Sequence, residues 1–217
     1  MTLALYAHPF SSYCQKVLVA LYENGLAFEY RHVETPGIGD ALKALWPLGR
    51  FPVLVDAGTA ITESTIIIEY LELHHPGPVR LIPGDPAAAL EVRFLDRFFD
   101  NYVMSAMQVP VAEALRGADG RKDTALAEAA VALETAYAWL EVRLAGREWA
   151  AGNGFTIADC AAAPSLFYAD WVHPIGASHP ILRDYRRRLL ARPSFARAVD
   201  EARPYRHYFP LGAPDRD

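Results

Sequence analysis

A run of prolines and glycines, from Pro76-Gly77-Pro78 to Pro83-Gly84-Asp85-Pro86, divides the chain into two differently patterned parts. Proline lacks an amide hydrogen and fixes φ, so the run forbids both a helix interior and a central strand. Before it, apolar residues alternate between strand and helix periods. Residues 2–6 read as a strand and 13–24 as a helix, with Val17, Leu18, Leu21 and Tyr22 on one face and Gly25 after its end. Residues 28–33 follow as a strand and 40–46 as a short helix stopped by Pro47. A hairpin over 51–55 and 59–61 turns at Asp56-Ala57-Gly58, and a helix over 63–74 closes the series. Beyond the run the pattern is helical almost throughout, over 87–115, 122–144, 156–168, 182–190 and 195–201, and the tail from Pro204 is irregular. The expected architecture is an α/β domain of order β-α-β-α-β-β-α over residues 1–76, a linker over 77–86, and an all-α domain over 87–217. An alanine-rich stretch over 125–138 suits close helix packing.

Composition removes several classes of function. At 217 residues and 52% apolar, the chain can bury a core. Its formal net charge of -5 offers no attraction for a phosphate backbone, so nucleic acid is not an expected partner. No run approaches the ~18 apolar residues of a bilayer span, and the first residues carry no basic leader. A cytoplasmic, reducing setting is expected. Two cysteines, Cys14 and Cys160, exclude a disulfide scaffold and a thiolate-only zinc site. No glycine-rich fingerprint follows the first strand, so a dinucleotide has no support. The histidines His8, His32, His74, His75, His173, His179 and His207 are scattered without metal-ligand spacing, and no metal is expected. His8 is expected in solvent, and Arg186-Arg187-Arg188 reads as the wet face of a helix.

Three short segments can carry chemistry. Ser11 and Ser12 stand where the first helix begins, so either can cap it, or donate to an anion held by the free N–H groups. Lowering a thiol pKa by ~2 units needs roughly 2.7 kcal/mol, within reach of one charge-assisted hydrogen bond plus the helix dipole. Cys14, one turn into an apolar helix, is expected to be buried and inert. Pro52 in Phe51-Pro52-Val53 is either an ordinary proline opening an edge strand or a cis proline that turns the Phe51 backbone outward to hold an extended peptide. Glu63 and Ser64 precede an apolar helix, where Ser64 can cap, or the pair can receive the ammonium and carboxylate of an amino-acid head group.

Taken in order, the Ser11-Ser12-Tyr13-Cys14 junction, Arg50-Phe51-Pro52-Val53-Leu54, Glu63-Ser64 and Gly154-Phe155-Thr156-Ile157-Ala158-Asp159 resemble the cytosolic glutathione S-transferases. The resemblance covers residues 2–205. It implies a thioredoxin-like N-terminal domain, an all-helical C-terminal domain and glutathione as co-substrate. On it, Ser11 matches the catalytic position of the serine and cysteine classes (theta, zeta, beta and omega-like), with Ser12 and Tyr6 as competitors. Tyr6 is expected to pack in its strand. Glu63 and Ser64 match the residues that hold the γ-glutamyl group. Phe51 precedes the family's cis-proline Pro52 and pairs with the cysteinyl part, while Arg50 falls near the glycyl carboxylate. Phe10 belongs to the same glutathione-binding set. A hydrophobic electrophile would lie between the domains, near Phe10, Phe99, Tyr102, Val103, Met107 and Trp171. Thr156 and Asp159 resemble the capping box of the family's core helix, with Phe155 as its hydrophobic N′ residue and a purely structural task. The resemblance further implies a homodimer and conjugation of glutathione to a carbon electrophile. A glutathione-dependent thiol–disulfide reductase and a non-catalytic ligand-binding module are the alternatives.

Overall fold

A computed structural model describes residues 3–116 and 122–217. Thr2, expected in the first strand, lies outside them. Four strands, β1 (Leu3–Ala7), β2 (Phe28–His32), β3 (Val53–Asp56) and β4 (Thr59–Thr62), form one mixed sheet of order β2-β1-β3-β4. β1 pairs parallel with β2, from Leu3 opposite Phe28 to Ala7 opposite His32. It pairs antiparallel with β3, which forms the expected hairpin with β4 around Ala57 and Gly58. A central β1 follows from its residues, because Leu3, Leu5 and Ala7 alternate inward with period two.

The helices of this half are α1 (Ser12–Glu23), α2 (Ile38–Leu45) and α3 (Ser64–His74). The sequence order β-α-β-α-β-β-α is therefore present. Every residue of α1 from Cys14 to Leu21 is buried, since the helix packs on α3 and also on the helices Ile157–Val172 and Pro193–Ala202 of the helical half. Charged and polar residues on such a helix need internal partners, and Gln15 and Lys16 have them, as set out below.

The proline-rich segment is irregular up to Asp85, yet it is fastened rather than loose. Leu81 and Ile82 are buried, the Leu81 amide donates to Glu72 Oε2 at 3.1 Å, and its carbonyl accepts from the Ile157 amide at 2.9 Å. Asp85 then caps α4 (Pro86–Phe98) by accepting from the Ala88 amide at 2.8 Å, with Pro86 in the first turn.

A single helix was expected over 87–115. The structure breaks it into α4, a π-helical stretch (Phe99–Met104) and α5 (Ser105–Arg116). The Ser105 amide and hydroxyl both bond the Asp100 carbonyl five residues back, which widens the turn. α6 (Asp123–Arg143), α7 (Ile157–Val172), α8 (Pro180–Ala191) and α9 (Pro193–Ala202) complete the helical half. The tail is less irregular than expected: a 3-10 helix spans Arg203–Tyr208, and Phe209 is buried.

The alanine-rich stretch of α6 buries only one stripe, including Ala129, Leu133 and Ala136. Full packing falls instead to α7, buried from Ile157 to Asp170, where the alanines 161–163 let it lie against α1, α4 and the π-helical stretch. Its start is the expected capping box. Asp159 Oδ2 accepts from the Thr156 amide at 2.9 Å and hydroxyl at 3.0 Å, while Oδ1 accepts from the Ala150 amide and from Tyr185. Among the described residues no helix is long and apolar enough to cross a membrane.

Candidate functional site

The loop between β1 and α1 is held from several sides. Ser11 is the N-cap residue of α1: its hydroxyl oxygen accepts from the Cys14 amide at 3.4 Å, and its amide donates to the His8 carbonyl. Gln15 donates to the Pro9 carbonyl and to the Tyr168 phenol, which donates to the Phe10 carbonyl, each at 3.0 Å. A buried amide side chain and a phenol from α7 thus fix the loop that presents Ser11. Capping and chemistry, posed as alternatives by the sequence, are compatible. A hydroxyl that accepts one N–H keeps its own proton to donate.

Cys14 is fully buried and its thiol is pushed up to about 12, chiefly by desolvation, so it is the inert residue that was expected. His8 departs from expectation. It is buried against Tyr205 and Tyr208, and burial holds its pKa below the usual histidine value.

Five of the expected residues, Arg50, Phe51, Pro52, Glu63 and Ser64, line one cavity of about 550 Å³. The Phe51–Pro52 peptide is cis. Glu63 precedes α3 at φ 68° and ψ 120°, a conformation that residues with a Cβ rarely adopt, and its carboxylate is exposed. Ser64 is buried and is already the first residue of α3, so it is not the cap, and Glu63 makes no side-chain capping bond. The capping explanation of this pair fails. Glu63 and Ser64 line the cavity at the start of α3, where no side-chain cap is made, which suits an anion there.

Phe10 and Ser11 line a second cavity of about 210 Å³, with Ser12, Met107, Tyr168 and the tail residues Tyr208, Phe209 and Pro210. Tyr13 borders both cavities, so they meet at the first turn of α1. Of the residues expected for an apolar pocket, Phe10 and Met107 line this smaller cavity. Phe99 and Val103 are packed inside the core, and Tyr102 is exposed beside Phe98. Trp171 lies behind Phe10, against Phe167 and Phe209. The π-helical turn changes which faces of the long helical segment point inward, so a uniform helical count misplaces them.

The larger cavity also holds residues that the sequence did not single out: Tyr13, Trp46, Arg97, Asp100 and Asn101. Asp100 belongs to a buried ionic network. Lys16 Nζ lies 2.6 Å from Asp96, 2.7 Å from Asp100 and 2.9 Å from the Thr65 hydroxyl, and Arg97 pairs with both acids. Burial raises the Asp100 carboxyl, against the pull of Lys16. The network ties α1 to α3 and to the π-helical stretch. A lysine in the middle of an apolar helix was the available signal.

Larger hollows of about 710 and 760 Å³ lie elsewhere, so volume alone does not mark the site. The histidine spacing also misled: His8, His32 and Glu34 bring three potential metal-ligand atoms within 4.8 Å of one another. Their hydrogen bonds do not suit a metal. Both Nδ1 atoms accept backbone amides, at 3.1 and 3.3 Å, so each neutral ring carries its proton on the Nε2 that would have to ligate.

Residues 5–79 match the family profile described as glutathione S-transferase, N-terminal domain, and residues 123–188 match the corresponding C-terminal domain. A glutathione S-transferase from Methylobacterium radiotolerans, solved in complex with glutathione sulfonate, superposes with a TM-score of 0.78 at 33% identity, covering 92% of this chain and 95% of that one. A glutathione S-transferase-like protein of Fusarium sp is 34% identical over 75% of each chain. A stringent starvation protein A homolog of Haemophilus influenzae is 26% identical over 93% of this chain and 92% of its own. Those likenesses run across a thioredoxin-like sheet half and a helical half in the same order, and the chain belongs to the glutathione S-transferase family.

Proposed function

We propose that this protein is a glutathione transferase that adds the glutathione thiolate to a small hydrophobic electrophile. The observation that carries the reading is the meeting of two unlike cavities at the first turn of α1. The larger supplies an exposed carboxylate at Glu63, the buried hydroxyl of Ser64, the uncapped start of α3 and the guanidinium of Arg50, a set matched to a peptide with one ammonium and two carboxylates. Its volume lies within the ~300–1,000 Å³ usual for small-molecule sites. The smaller cavity, walled by Phe10, Met107 and Phe209, suits an apolar acceptor.

In this reading Ser11, on the wall of the smaller cavity two residues before Tyr13, is the catalytic residue. Its hydroxyl, already anchored by the Cys14 amide, donates to the cysteinyl sulfur of glutathione and favours its anion. The thiol proton leaves to solvent, the sulfur lone pair forms a bond to the electrophilic carbon, and the displaced group or the adjacent π electrons carry away the electron pair. Phe51, beside Pro52, places the cysteinyl backbone, and Gln15 and Tyr168 keep the loop in register at no reorganisation cost during reaction.

The same reading includes a homodimer. Phe94, Tyr102 and Trp139 are 48%, 59% and 38% exposed and form a continuous aromatic cluster through Phe98, an apolar face of the kind that subunit contacts cover.

The test is retention of the protein on immobilised glutathione, then ultraviolet difference spectra for bound thiolate. An aryl halide and a mixed glutathione disulfide are next compared as acceptors. The expected result is a thiolate signal at neutral pH with turnover of the halide. Binding without thiolate or turnover would leave a ligand-binding module. Turnover of the disulfide alone would leave a reductase working through glutathione's own sulfur, since Cys14 is unreactive.

A further inference from the structure

His8, which the sequence placed in solvent, is 7% exposed and holds the loop that carries Ser11. Its ring Nδ1 accepts from the Phe10 amide at 3.1 Å, and its carbonyl accepts from the Ser11 amide at 3.0 Å. Two consecutive amides of the loop therefore end on one residue. The loop's carbonyls are held from elsewhere, Pro9 by Gln15 and Phe10 by Tyr168. Of these three anchors only the imidazole takes up a proton near neutral pH. Burial pushes the Tyr168 phenol far above its ordinary value, and the Gln15 amide does not ionise.

This acceptor exists in one protonation state only. The neutral ring accepts at Nδ1 and carries its proton on Nε2, whereas the cation carries a proton on both nitrogens. Protonation would set Nδ1–H against the Phe10 N–H across 3.1 Å, two donors facing one another, and the bond would break. The groups around the ring are His32 on β2, Glu34 just beyond it, Cys14 on α1, and Tyr205 and Tyr208 on the 3-10 helix. Glu34 Oε1, 3.4 Å from Nε2, favours the cation, but burial opposes it more strongly and His32 adds to the opposition, so the pKa lies below the usual histidine value. The unfolded chain thus takes the proton first, and the stability that neutral His8 contributes is lost as pH falls below ~6.5.

We infer that His8 is a positioning residue for Ser11: its neutral imidazole holds the Phe10 amide, and with it the loop geometry that aims the Ser11 hydroxyl, so turnover is lost when the ring takes a proton. The inference rests on the catalytic role proposed for Ser11. The bond is the imidazole counterpart of an Asx turn, in which an Asn or Asp side chain accepts from the amide two residues on. That likeness supplies two informative substitutions. His8→Asn keeps an acceptor for the Phe10 amide and removes the titration. His8→Phe keeps an aromatic ring beside Tyr205 and Tyr208 but removes the acceptor.

Two readouts test this. In the free protein, nuclear magnetic resonance follows the His8 ring and the Phe10 amide as pH falls through the range in which His8 titrates, and both should move with one midpoint. A Phe10 amide that stays in place while His8 takes its proton overturns the proposal. Turnover of glutathione with an aryl halide is then measured over the same range. The wild-type acid limb should fall more steeply than the single proton of the glutathione thiol allows, whereas that of His8→Asn should follow one proton. His8→Phe should lose kcat by about tenfold or more at neutral pH, with KM for glutathione changed by less than about twofold, and His8→Asn should recover most of that loss. Identical acid limbs in wild type and His8→Asn, or an Asn variant no more active than the Phe variant, overturn the positioning role. If His8→Phe does not fold, by circular dichroism, the amide titration and the His8→Asn profile decide. Absence of wild-type turnover defeats the glutathione reading instead, and the amide titration still decides whether His8 holds the loop.

Discussion

Two helix starts in this molecule are built in opposite ways. At α7, the N-terminus is closed by its own residues: Thr156 and Asp159 satisfy one another, and the same carboxylate takes the Ala150 amide and the Tyr185 phenol. At α3, Glu63 enters the helix at φ 68°, its carboxylate points to solvent, and no side chain caps the first amides. A sealed end closed by its own residues is a device of stability, and removing a part should damage folding first. An open, strained end is held by its surroundings against its own preference, and such strain gathers where ligands bind. The start of α1 lies between the two, because the Ser11 oxygen caps while its proton stays available.

The contrast predicts that stability and chemistry separate by helix. Asp159→Ala should have the largest effect. It strands four buried donors, and loss of such a network costs about 3–5 kcal/mol. Urea denaturation should show a large fall in midpoint, with turnover per folded molecule unchanged. A loss below ~1 kcal/mol would mean that the end of α7 is not the sealed structure described.

Ser11→Ala comes next. Losing one donor to a developing anion lowers kcat by about a hundredfold, on the scale of a single oxyanion donor. Loss of the cap adds a stability decrease of ~1 kcal/mol, while glutathione affinity should hardly move. Unchanged kcat would shift the role to Ser12 or Tyr6. Ser64→Ala should invert this pattern: roughly tenfold weaker glutathione binding by direct titration, worth ~1.4 kcal/mol, with little change in stability because Ser64 is not a cap. Intact affinity would remove it from the γ-glutamyl contact.

What the sequence reveals follows the range of the forces involved. The sheet half is legible because strand and helix periods alternate locally and prolines mark their limits. Arg50 to Pro52 and Glu63 with Ser64 are legible because each set is contiguous in the chain, and both line one cavity. Residues delivered from far along the sequence are not legible in this way. Tyr168 reaches the Phe10 carbonyl across 158 positions, and Phe209 comes to the acceptor pocket from a tail without regular pattern. The π-helical turn is equally silent, since a hydrogen-bond step of five residues in place of four leaves composition unchanged while re-aiming Asp100 and Asn101. Arg186, whose side chain is 12% exposed rather than on the wet face expected for it, had a signal that the neighbouring charges obscured. It stands four residues after Leu182 and three before Leu189, on the buried stripe of α8.

The smallest effect tests the comparison most directly, because it requires a gain. Glu63 carries a Cβ at a positive φ, and such strain costs on the order of 1–3 kcal/mol. Glycine removes it but makes the unfolded chain more flexible, by about 0.5–1 kcal/mol. The difference leaves Glu63→Gly more stable by about 1 kcal/mol, although it deletes a carboxylate proposed to hold the ammonium of glutathione. Glu63→Ala deletes the same carboxylate and keeps the Cβ, so it should lose affinity equally without the gain. Measured side by side in urea and by glutathione titration, the pair separates backbone strain from ligand contact. If alanine stabilises as much as glycine, the backbone at the start of α3 is not strained, and the gain comes from removing the acid. If neither loses affinity, the open end of α3 does not hold the ligand through Glu63.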